Sequence, residues 1–325
     1  MLESYLSSVF HDRRRGLAMV LGTNEIASAV AVHLHRAGFG VVLSHDPHPP
    51  VIRRAMAFHD ALWGEGAELE GVRAELVERA CEVLPVAALA DRVAVTRLGL
   101  VDLMVAGRFA VIVDARMQKY AVKPNLRYLA RLTIGVGPGF TAGIDCDLAV
   151  ETRPAVVGRL LTRGGTDAPD GVPDLLGGVG PERFARAPVA GRWHTAMAIG
   201  GRVFRGQVVG HIDRGAVVAP IDGVLRGLAR DGVEVYDGVK LLEIDPRNRW
   251  QTRWAGIDAR GRAIGEAVAM AAWDNLPDLR AEPESESEQE PEPEARPPRR
   301  RREATEAIEA PWWLSITDAD TRGEK

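Results

Sequence analysis

Residues 17–44 read LAMVLGTNEIASAVAVHLHRAGFGVVLS, and this stretch decides the fold class. Leu17–Leu21 is a short, continuous apolar run that ends at a glycine, which is typical of a buried parallel strand. Thr23 or Asn24 can then cap a helix, and Gly40–Ser44 has the pattern of a second strand. Apolar residues recur at helical spacing at Ile26, Val30 and Leu34. Gly38 then provides a C-terminal stop signal for the helix. The stretch therefore predicts a strand–helix–strand unit and an α/β protein that begins with a Rossmann-like domain.

The residues that follow each predicted strand are candidate site residues, because ligands of open α/β sheets bind beyond the carboxyl ends of the strands. Gly22 follows the first strand, Asp46 the second, and Asp114 the apolar run Phe109–Val113. Asp46 lies where an acidic residue commonly binds a ribose hydroxyl, but the first loop, GTNEIA, lacks the second glycine of a dinucleotide loop. The sequence is therefore compatible with two interpretations of this loop, a cofactor site and a plain turn. Val83–Ala90 is a further predicted strand.

A second candidate loop is Ile134–Asp145, IGVGPGFTAGID, which follows a basic, strand-like approach at Tyr128–Thr133. Its glycines allow positive φ and a close approach of the backbone to a ligand, and Thr141 and Asp145 supply side-chain oxygens. Such a loop can point N–H groups at a phosphate, although no Gly-Lys-Ser/Thr of a Walker loop follows. A tight turn explains the same spacing, so both interpretations stay open. The glycines of this loop are Gly135, Gly137, Gly139 and Gly143.

Cationic and imidazole side chains lie near these strand ends in the sequence. Arg53 is a candidate phosphate ligand, and so are Arg116 and Lys119. The alternative for each is a position on a solvated helix face. The nearby histidines are His45, His48 and His59. They can bind a metal or shuttle a proton, but a rigid, proline-rich turn accounts for them as well, and no further ligand has a motif spacing. We therefore expect no metal.

Residues 186–245 contain an internal repeat with a period of 32 residues, in which APVAG at 187–191 corresponds to APIDG at 219–223. Two copies are too few for a solenoid and predict two interlocked halves of one small β-domain, a biotinyl/lipoyl-like barrel-sandwich hybrid. Carrier domains of that type present a lysine between the copies. Here Arg214-Gly215-Ala216 stands there, and Lys240 lies inside the second copy, which argues against a prosthetic-group carrier.

The repeat also predicts local features. Val203 and Val235 occupy equivalent positions and should be buried on opposite walls of the domain. The repeat glycines should lie in turns where a positive φ or a close strand approach excludes a Cβ atom. They are Gly191, Gly200, Gly206, Gly223, Gly232 and Gly238.

Composition restricts the class of protein. The chain has 325 residues, a formal net charge of −4, and two cysteines, Cys81 and Cys146, in no metal-ligand spacing. Residues 278–325 hold 14 acidic and 8 basic residues, which leaves residues 1–277 near +2 and argues against nucleic-acid binding. The sequence shows neither a secretory signal nor the ~20-residue apolar run of a membrane span. We expect a cytoplasmic protein without a membrane partner.

The predicted organisation is a Rossmann-like ligand-binding domain at 16–152, a connector at 153–185, the repeat domain at 186–250, and a C-terminal helical segment at 251–276. Residues 277–325 form an acidic and then basic tract that predicts a disordered tail. Within this tail, Trp312-Trp313 belongs to an apolar patch that is either a docking motif or a remnant without function.

Four segments together resemble a known family. They are LHRAGFGVVL at 34–43, PPVIRRAMAF at 49–58, the glycine run at 134–145, and APIDGVLRGLARDG with IDPR within 219–247. Over about residues 16–275 the chain resembles the selenium-dependent molybdenum hydroxylase accessory proteins of the YqeB type, which are related to xanthine dehydrogenase accessory factors. In place of that family's G-x-G-D-L-A first loop this chain has Gly22–Ala27. The resemblance implies a Rossmann-like domain, a small β-domain, and a role in maturing molybdenum-cofactor enzymes.

The leading hypothesis is therefore a non-catalytic or weakly catalytic accessory factor, whose client is a molybdenum-cofactor-dependent hydroxylase or a similar redox enzyme. It would bind a phosphate-bearing ligand, a molybdopterin-type pterin or a nucleotide, at the edge of the sheet. The alternatives are a nucleotide- or NAD(P)-dependent enzyme of cofactor or C1 metabolism and a non-catalytic scaffold. No catalytic residue is assigned. The predicted ligand-binding residues are Gly22, Thr23, Asn24, Asp46, Arg53, Asp114, Gly135, Gly137, Gly139, Thr141 and Asp145.

Overall fold

A mixed nine-stranded sheet organises the first half of the chain. The structure is a computed structural model, and it describes residues 16–169 and 171–279. The strands of this half are β1 Leu17–Leu21, β2 Gly40–Ser44, β3 Ala67–Leu69, β4 Val72–Leu76, β5 Arg92–Thr96, β6 Phe109–Asp114, β7 Leu132–Val136, β8 Thr141–Ala142, β9 Leu148–Val150, β10 Leu160–Leu161 and β11 Gly164–Gly165. The sheet order is β10-β9-β7-β6-β1-β2-β5-β4-β3, and β8 pairs with β11 apart from it. Its two outermost strands are antiparallel to their neighbours, and the others run parallel.

Four α-helices cover this sheet. They are α1 Glu25–Arg36, α2 Ala80–Ala87, α3 Leu100–Leu103 and α4 Ala259–Asn275. Short 3-10 helices occur at Arg54–Met56, His59–Trp63, Pro154–Val156, Pro181–Arg183 and Pro277–Leu279. Helices α1 and α4 pack in the core on one face of the sheet, and α2 and α3 pack on the other face. None of the helices within residues 16–169 and 171–279 has the length and apolar character that crossing a bilayer requires.

The strand–helix–strand unit predicted from residues 17–44 is confirmed. Strands β1 and β2 have the predicted bounds and pair in parallel. Asn24 caps α1, since its Oδ1 accepts hydrogen bonds from the N–H groups of Ile26 and Ala27 at 2.9 and 3.0 Å. Gly38 follows the helix with a φ of +92°, the conformation that favours glycine at a helix end.

Eight further strands carry the internal repeat. They are β12 Phe184–Arg186, β13 Gly191–His194, β14 Arg202–Val203, β15 Val208–Ile212, β16 Gly215–Val218, β17 Gly223–Leu228, β18 Glu234–Val235 and β19 Lys240–Asp245. They form two four-stranded sheets with the orders β12-β19-β17-β14 and β16-β15-β13-β18. The short strands β14 and β18, which are equivalent in the two copies, each lie in the sheet of the other copy. The prediction of interlocked halves is thus confirmed.

The local predictions for the repeat are confirmed in part. Val203 and Val235 are both buried. All six predicted glycines have a positive φ, but Gly191 and Gly223 begin strands β13 and β17 and do not lie in turns. At Gly223 an added Cβ would lie 2.2 Å from the carbonyl oxygen of Asp245. A side chain at this position is therefore excluded by the neighbouring strand as well as by the backbone conformation.

The predicted fold class, a Rossmann-like domain followed by a biotinyl/lipoyl-like barrel-sandwich hybrid, is wrong. The structure has one large mixed sheet with few helices, and β6, β7 and β9 follow one another without an intervening α-helix. The repeat sheets include the additional strands β12 and β16. Helix α4 follows the repeat in the chain but packs on α1 in the first core. One strand–helix–strand unit could not specify these later connections, which depend on long-range packing.

Two other predictions need comment. Val83–Ala90 was expected to be a strand, but Ala80–Ala87 is helix α2, and the Glu82 side chain accepts hydrogen bonds from the N–H groups of Glu78 and Arg79 ahead of it. A short apolar run does not by itself distinguish a strand from a helix. Apart from Pro277–Leu279, the predicted disordered tail and its Trp312-Trp313 motif lie outside the described residues.

A buried carboxylate joins the repeat to the first sheet. The Glu243 side chain on β19 is fully buried, and three guanidinium groups bind it: Arg53 at 2.7 and 3.1 Å, Arg183 at 3.0 Å and Arg226 at 3.2 Å. Burial alone would raise the pKa of Glu243, but the charge and hydrogen bonds of Arg53, with Arg226 and Arg183, lower this pKa to about 2. The carboxylate is therefore charged throughout the neutral range.

Replacing Glu243 with glutamine keeps the shape of the side chain but removes the charge that three buried or half-buried guanidiniums share. We expect the free energy of unfolding to fall by about 3–5 kcal/mol, the usual cost of breaking a buried ion pair. Urea denaturation measures this loss. Glu234→Gln is the matched control, since Glu234 pairs with Arg192 at the surface and its loss should cost no more than about 1 kcal/mol. Equal losses in the two variants would contradict the role of Glu243.

The same carboxylate predicts a pH dependence. Its pKa in the folded protein, about 2, lies below the ordinary value of 4.5, so its contribution is present above pH 4.5 and is lost as the pH falls toward 2. The stability difference between the wild type and Glu243→Gln should therefore shrink over this window. Urea denaturation at several pH values checks this, and a difference that stays constant from pH 7 to the acid limit of folding would contradict it.

Candidate functional site

Three of the predicted strand ends and the glycine run lie side by side at one edge of the sheet. Strand β1 pairs with β2 and β6, and β6 pairs with β7, all in parallel. Leu21 is therefore opposite both Ser44 and Asp114, and Asp114 is opposite Gly135. The carboxyl ends of neighbouring parallel strands meet at one sheet edge, which explains why residues distant in sequence come together here.

The segment 115–123 lies across this edge. Gly22 has a φ of +110°, and a Cβ there would lie 3.1 Å from the carbonyl oxygen of Ala115, so the first loop passes directly beneath the segment. The Asn24 side chain donates a hydrogen bond to the same carbonyl at 2.8 Å. Asn24 thus fixes both the start of α1 and the position of the segment above it.

The two predicted carboxylates hold this segment in place. Arg116 binds Asp114 through two contacts of 2.6 and 3.0 Å and approaches Asp46 at 3.6 Å. The Gln118 amide donates a hydrogen bond to Asp46 Oδ2, the same oxygen that Arg116 approaches, at 2.7 Å. The hydrogen bond that Arg116 donates to the Asp114 carboxylate raises the pKa of Arg116. Asp46 and Asp114 therefore position Arg116 and Gln118, and Asp46 is already engaged by protein donors.

Most N–H groups of the glycine loop bind within the protein. Gly137 donates to Val150, Phe140 to the Thr166 hydroxyl, and Thr141 to the Asp145 carboxylate. Within the described residues, the N–H of the exposed Gly139 has no protein acceptor. Asp145 closes the turn by this bond to Thr141, which is the capping role that the sequence left open. The loop thus offers one N–H group to a ligand rather than a cradle of several.

The glycines at 135 and 137 are required by packing. An added Cβ at Gly135 would lie 2.3 Å from the ring of Phe140, and one at Gly137 would lie 2.9 Å from the sulfur of Met117. Gly137 also has a φ of +98°. The close approach that the sequence predicted is therefore real, but the groups that approach are side chains of the protein itself.

Lys123 is the site residue that the sequence analysis missed. Its ammonium donates to the carbonyl of Gln118 at 2.5 Å and lies 4.8 Å from the centre of the Phe140 ring. Its Cε is 3.5 Å from the Cβ position of Gly139, so the lysine runs alongside the exposed end of the glycine loop. Burial lowers the pKa of Lys123. The sequence did contain a signal for Lys123, because this lysine follows the strand that ends at Asp114, as Lys119 does.

Arg53 was predicted to bind a phosphate at this edge, and the structure gives it another role. Its guanidinium donates to Glu243 and to Glu25 at the start of α1, where the distance is 2.9 Å. All three of its nitrogens therefore have carboxylate partners. The sequence could not reveal this, since Glu243 is 190 residues away.

A pair of histidines shares the hydroxyl of Thr23 beside the same edge. Thr23 Oγ1 lies 3.1 Å from His45 Nδ1 and 3.0 Å from His59 Nδ1, and the Trp63 ring packs 5.0 Å from the His59 ring. His48 instead contacts Tyr236 of the repeat at 5.0 Å between ring centres. In residues 16–169 and 171–279, no group of three or more histidine, cysteine or acidic side chains is arranged to hold a metal ion.

Comparison with known proteins places the chain near one relative. It is 32% identical over 270 residues to the protein named "Uncharacterized protein YqeB" of Escherichia coli K12, covering 80% of this chain and 48% of that protein. This similarity supports the resemblance to the YqeB type. The chain spans about half the length of this relative. No family model matches the sequence.

Solved structures add no functional argument. A succinylglutamatedesuccinylase/aspartoacylase from Rhodobacter sphaeroides is 16% identical, with 27% of this chain and 30% of that chain covered and a TM-score of 0.19. An aspartoacylase family protein from Mesorhizobium loti is 11% identical, with 72% and 88% covered and a TM-score of 0.22. Scores this low carry no conclusion about the activity of the YqeB-like chain.

Alanine substitutions should distinguish the tightly packed part of the glycine loop, at Gly137, from its exposed end, at Gly139. Gly137→Ala introduces a Cβ against Met117, whereas Gly139→Ala meets only the flexible end of Lys123, and both glycines have a positive φ. We expect both variants to be destabilised by about 1–3 kcal/mol from the backbone strain, with Gly137→Ala lower in Tm because of the additional clash. Thermal denaturation measures the difference, and a Gly139→Ala variant that melts below Gly137→Ala would contradict it.

Proposed function

We propose that this protein is an accessory factor for a molybdenum-cofactor-dependent hydroxylase, and that it binds a phosphate-bearing pterin or nucleotide at the edge of the nine-stranded sheet. Similarity to YqeB over 80% of the chain and the family motifs in the sequence support this proposal. The name of this relative states no activity, and the chain spans about half of its length. The client enzyme is part of the proposal.

The observation that carries the proposal is the position of Lys123 beside the exposed N–H of Gly139. One hydrogen of the ammonium is used by the Gln118 carbonyl, which leaves two donors and the positive charge for an anion. A lysine next to a backbone N–H is a frequent arrangement for phosphate binding. Partial burial strengthens the attraction, because charges interact more strongly where water is excluded.

A molybdopterin-type ligand or a nucleotide fits this set of donors. Lys123 and the Gly139 N–H would hold the phosphate, while the charge of Arg116 is already balanced by Asp114 and Asp46. The polar edges of a pterin or base would face the strand ends around Thr23. The protein's contribution in this proposal is to hold and orient the ligand for transfer.

The alternatives receive less support. A nicotinamide-dependent enzyme would use Asp46 to bind a ribose, but both oxygens of that carboxylate already accept hydrogen bonds, from the N–H of His48 and from Gln118. A pure scaffold has no specific observation in its favour, and its predicted Trp312-Trp313 motif lies outside the described residues.

Ligand binding by the full chain tests the proposal. We expect native mass spectrometry to retain molybdopterin or a nucleotide from a panel of mono-, di- and triphosphates, and calorimetry at 150 mM salt to give its Kd. Lys123→Met should raise this Kd about tenfold or more, which corresponds to about 1.4 kcal/mol for one lost charged contact.

Lys119→Met is the matched control, since it removes the same charge from the same segment at an exposed position. Its Kd should stay within about threefold of the wild type, because a solvent-exposed charge is screened. Failure of the wild type to retain any phosphate-bearing ligand would overturn the proposal. Equal effects of the two variants would refute the assignment of Lys123.

A further inference from the structure

Two imidazole rings meet one hydroxyl group at the end of β1 and β2. Thr23 is buried directly after Gly22, His45 follows β2, and His59 is buried in the short helix His59–Trp63. Each ring turns its Nδ1 toward Thr23 Oγ1, at 3.1 and 3.0 Å. Within the described residues, the Nε2 atoms of both rings have no hydrogen-bond partner.

The hydroxyl restricts the tautomers of these rings. A threonine hydroxyl has one proton and can donate one hydrogen bond. If it donates to Nδ1 of one ring, that ring carries its proton on Nε2, and the other ring must donate from its own Nδ1. If both rings donated, the buried hydroxyl proton would have no acceptor, which costs about 1–3 kcal/mol. The favoured arrangement is therefore one ring of each tautomer.

Both rings are neutral at physiological pH. Burial lowers the pKa of His45 to about 4, with Asp46 opposing and Arg97 and His48 adding to the shift. Burial, His45, and then Arg54, Arg230 and Arg97 lower the pKa of His59 to about 3. The pair thus presents one Nε2–H donor and one Nε2 lone pair, and it does so across the whole neutral range.

We propose that His45, Thr23 and His59 form a proton relay that serves a ligand at the sheet edge. A ligand X–H group gives its proton to the Nε2 lone pair of the first ring, and that ring passes its Nδ1 proton to the Thr23 oxygen. The hydroxyl proton moves to Nδ1 of the second ring, which releases its Nε2 proton to a basic atom of the same ligand. One proton enters and one leaves, so no oxidant or other reactant is consumed.

The ligand group that fits is a lactam or amide, in which an N–H lies beside a carbonyl oxygen. Such a group offers a proton to the lone pair and an acceptor to the donor, and the relay changes its tautomer. Trp63 is a partly exposed aromatic neighbour of both rings, 5.0 Å from His59 and 6.4 Å from His45. The relay is independent of Lys123, so its failure and failure of the proposed phosphate site are distinguishable.

The test uses the full-length, ¹⁵N-labelled protein without ligand. Long-range ¹H–¹⁵N correlation spectra at pH 7 report which nitrogen of each ring is protonated. We expect His45 and His59 to show opposite tautomers, and both to stay neutral down to pH 5.5. The exposed ring of His48, which contacts Tyr236 and not Thr23, is the internal reference. Identical tautomers in the two rings, or a charged ring at pH 7, would overturn the relay.

Two variants test the part played by the hydroxyl. Thr23→Ser keeps the oxygen and should keep the opposite tautomers. Thr23→Val keeps the shape of the side chain but removes the oxygen, so the two rings should lose their fixed tautomers and show averaged nitrogen signals. Opposite tautomers that persist in Thr23→Val would refute the relay. If that variant does not fold, the wild-type and Thr23→Ser spectra still decide the outcome.

Discussion

One fully buried carboxylate, shared by three guanidinium groups, connects the parts of this protein. Glu243 comes from the repeat, Arg53 from the segment after β2, and Arg183 from the helix before β12. Arg226 extends the cluster to Asp258, the residue that caps α4, at 2.9 Å. Because a buried charge without partners is costly, these groups must assemble together. The carboxylate thus couples the first sheet, the repeat and the last helix.

This coupling explains how the candidate site is held. Arg53 is anchored on Glu243, and the carbonyl of the neighbouring Ile52 accepts a hydrogen bond from Leu228 of the repeat at 2.7 Å. The chain between β2 and β3 is therefore fixed at the repeat, and this is the chain that carries the imidazoles of the relay. A site of this kind needs such support, because small displacements weaken the contacts of hydrogen-bonding groups.

Sequence reasoning identified the local features and missed the long-range ones. The cap at Asn24, the strands on either side of α1, and the interlocked repeat were predictable, since each depends on spacing within a few tens of residues. The convergence of Asp46, Asp114 and the glycine run followed from the rule for parallel strands. The fold class, the helix at Ala80–Ala87 and the commitment of Arg53 to Glu243 depend on contacts between distant segments, and no local pattern indicated them.

The exchange of β14 and β18 makes the two copies of the repeat structurally dependent on each other. Each copy places one strand in the sheet of the other, so neither copy contains all the strands of its own sheet. Their divergence is visible at one pair of positions: His194 faces His211 across β13 and β15, and 32 residues later Arg226 and Glu243 occupy the equivalent places on β17 and β19. One copy carries an exposed imidazole pair at these positions, and the other carries the buried ion pair through which the repeat is joined to the rest of the described chain.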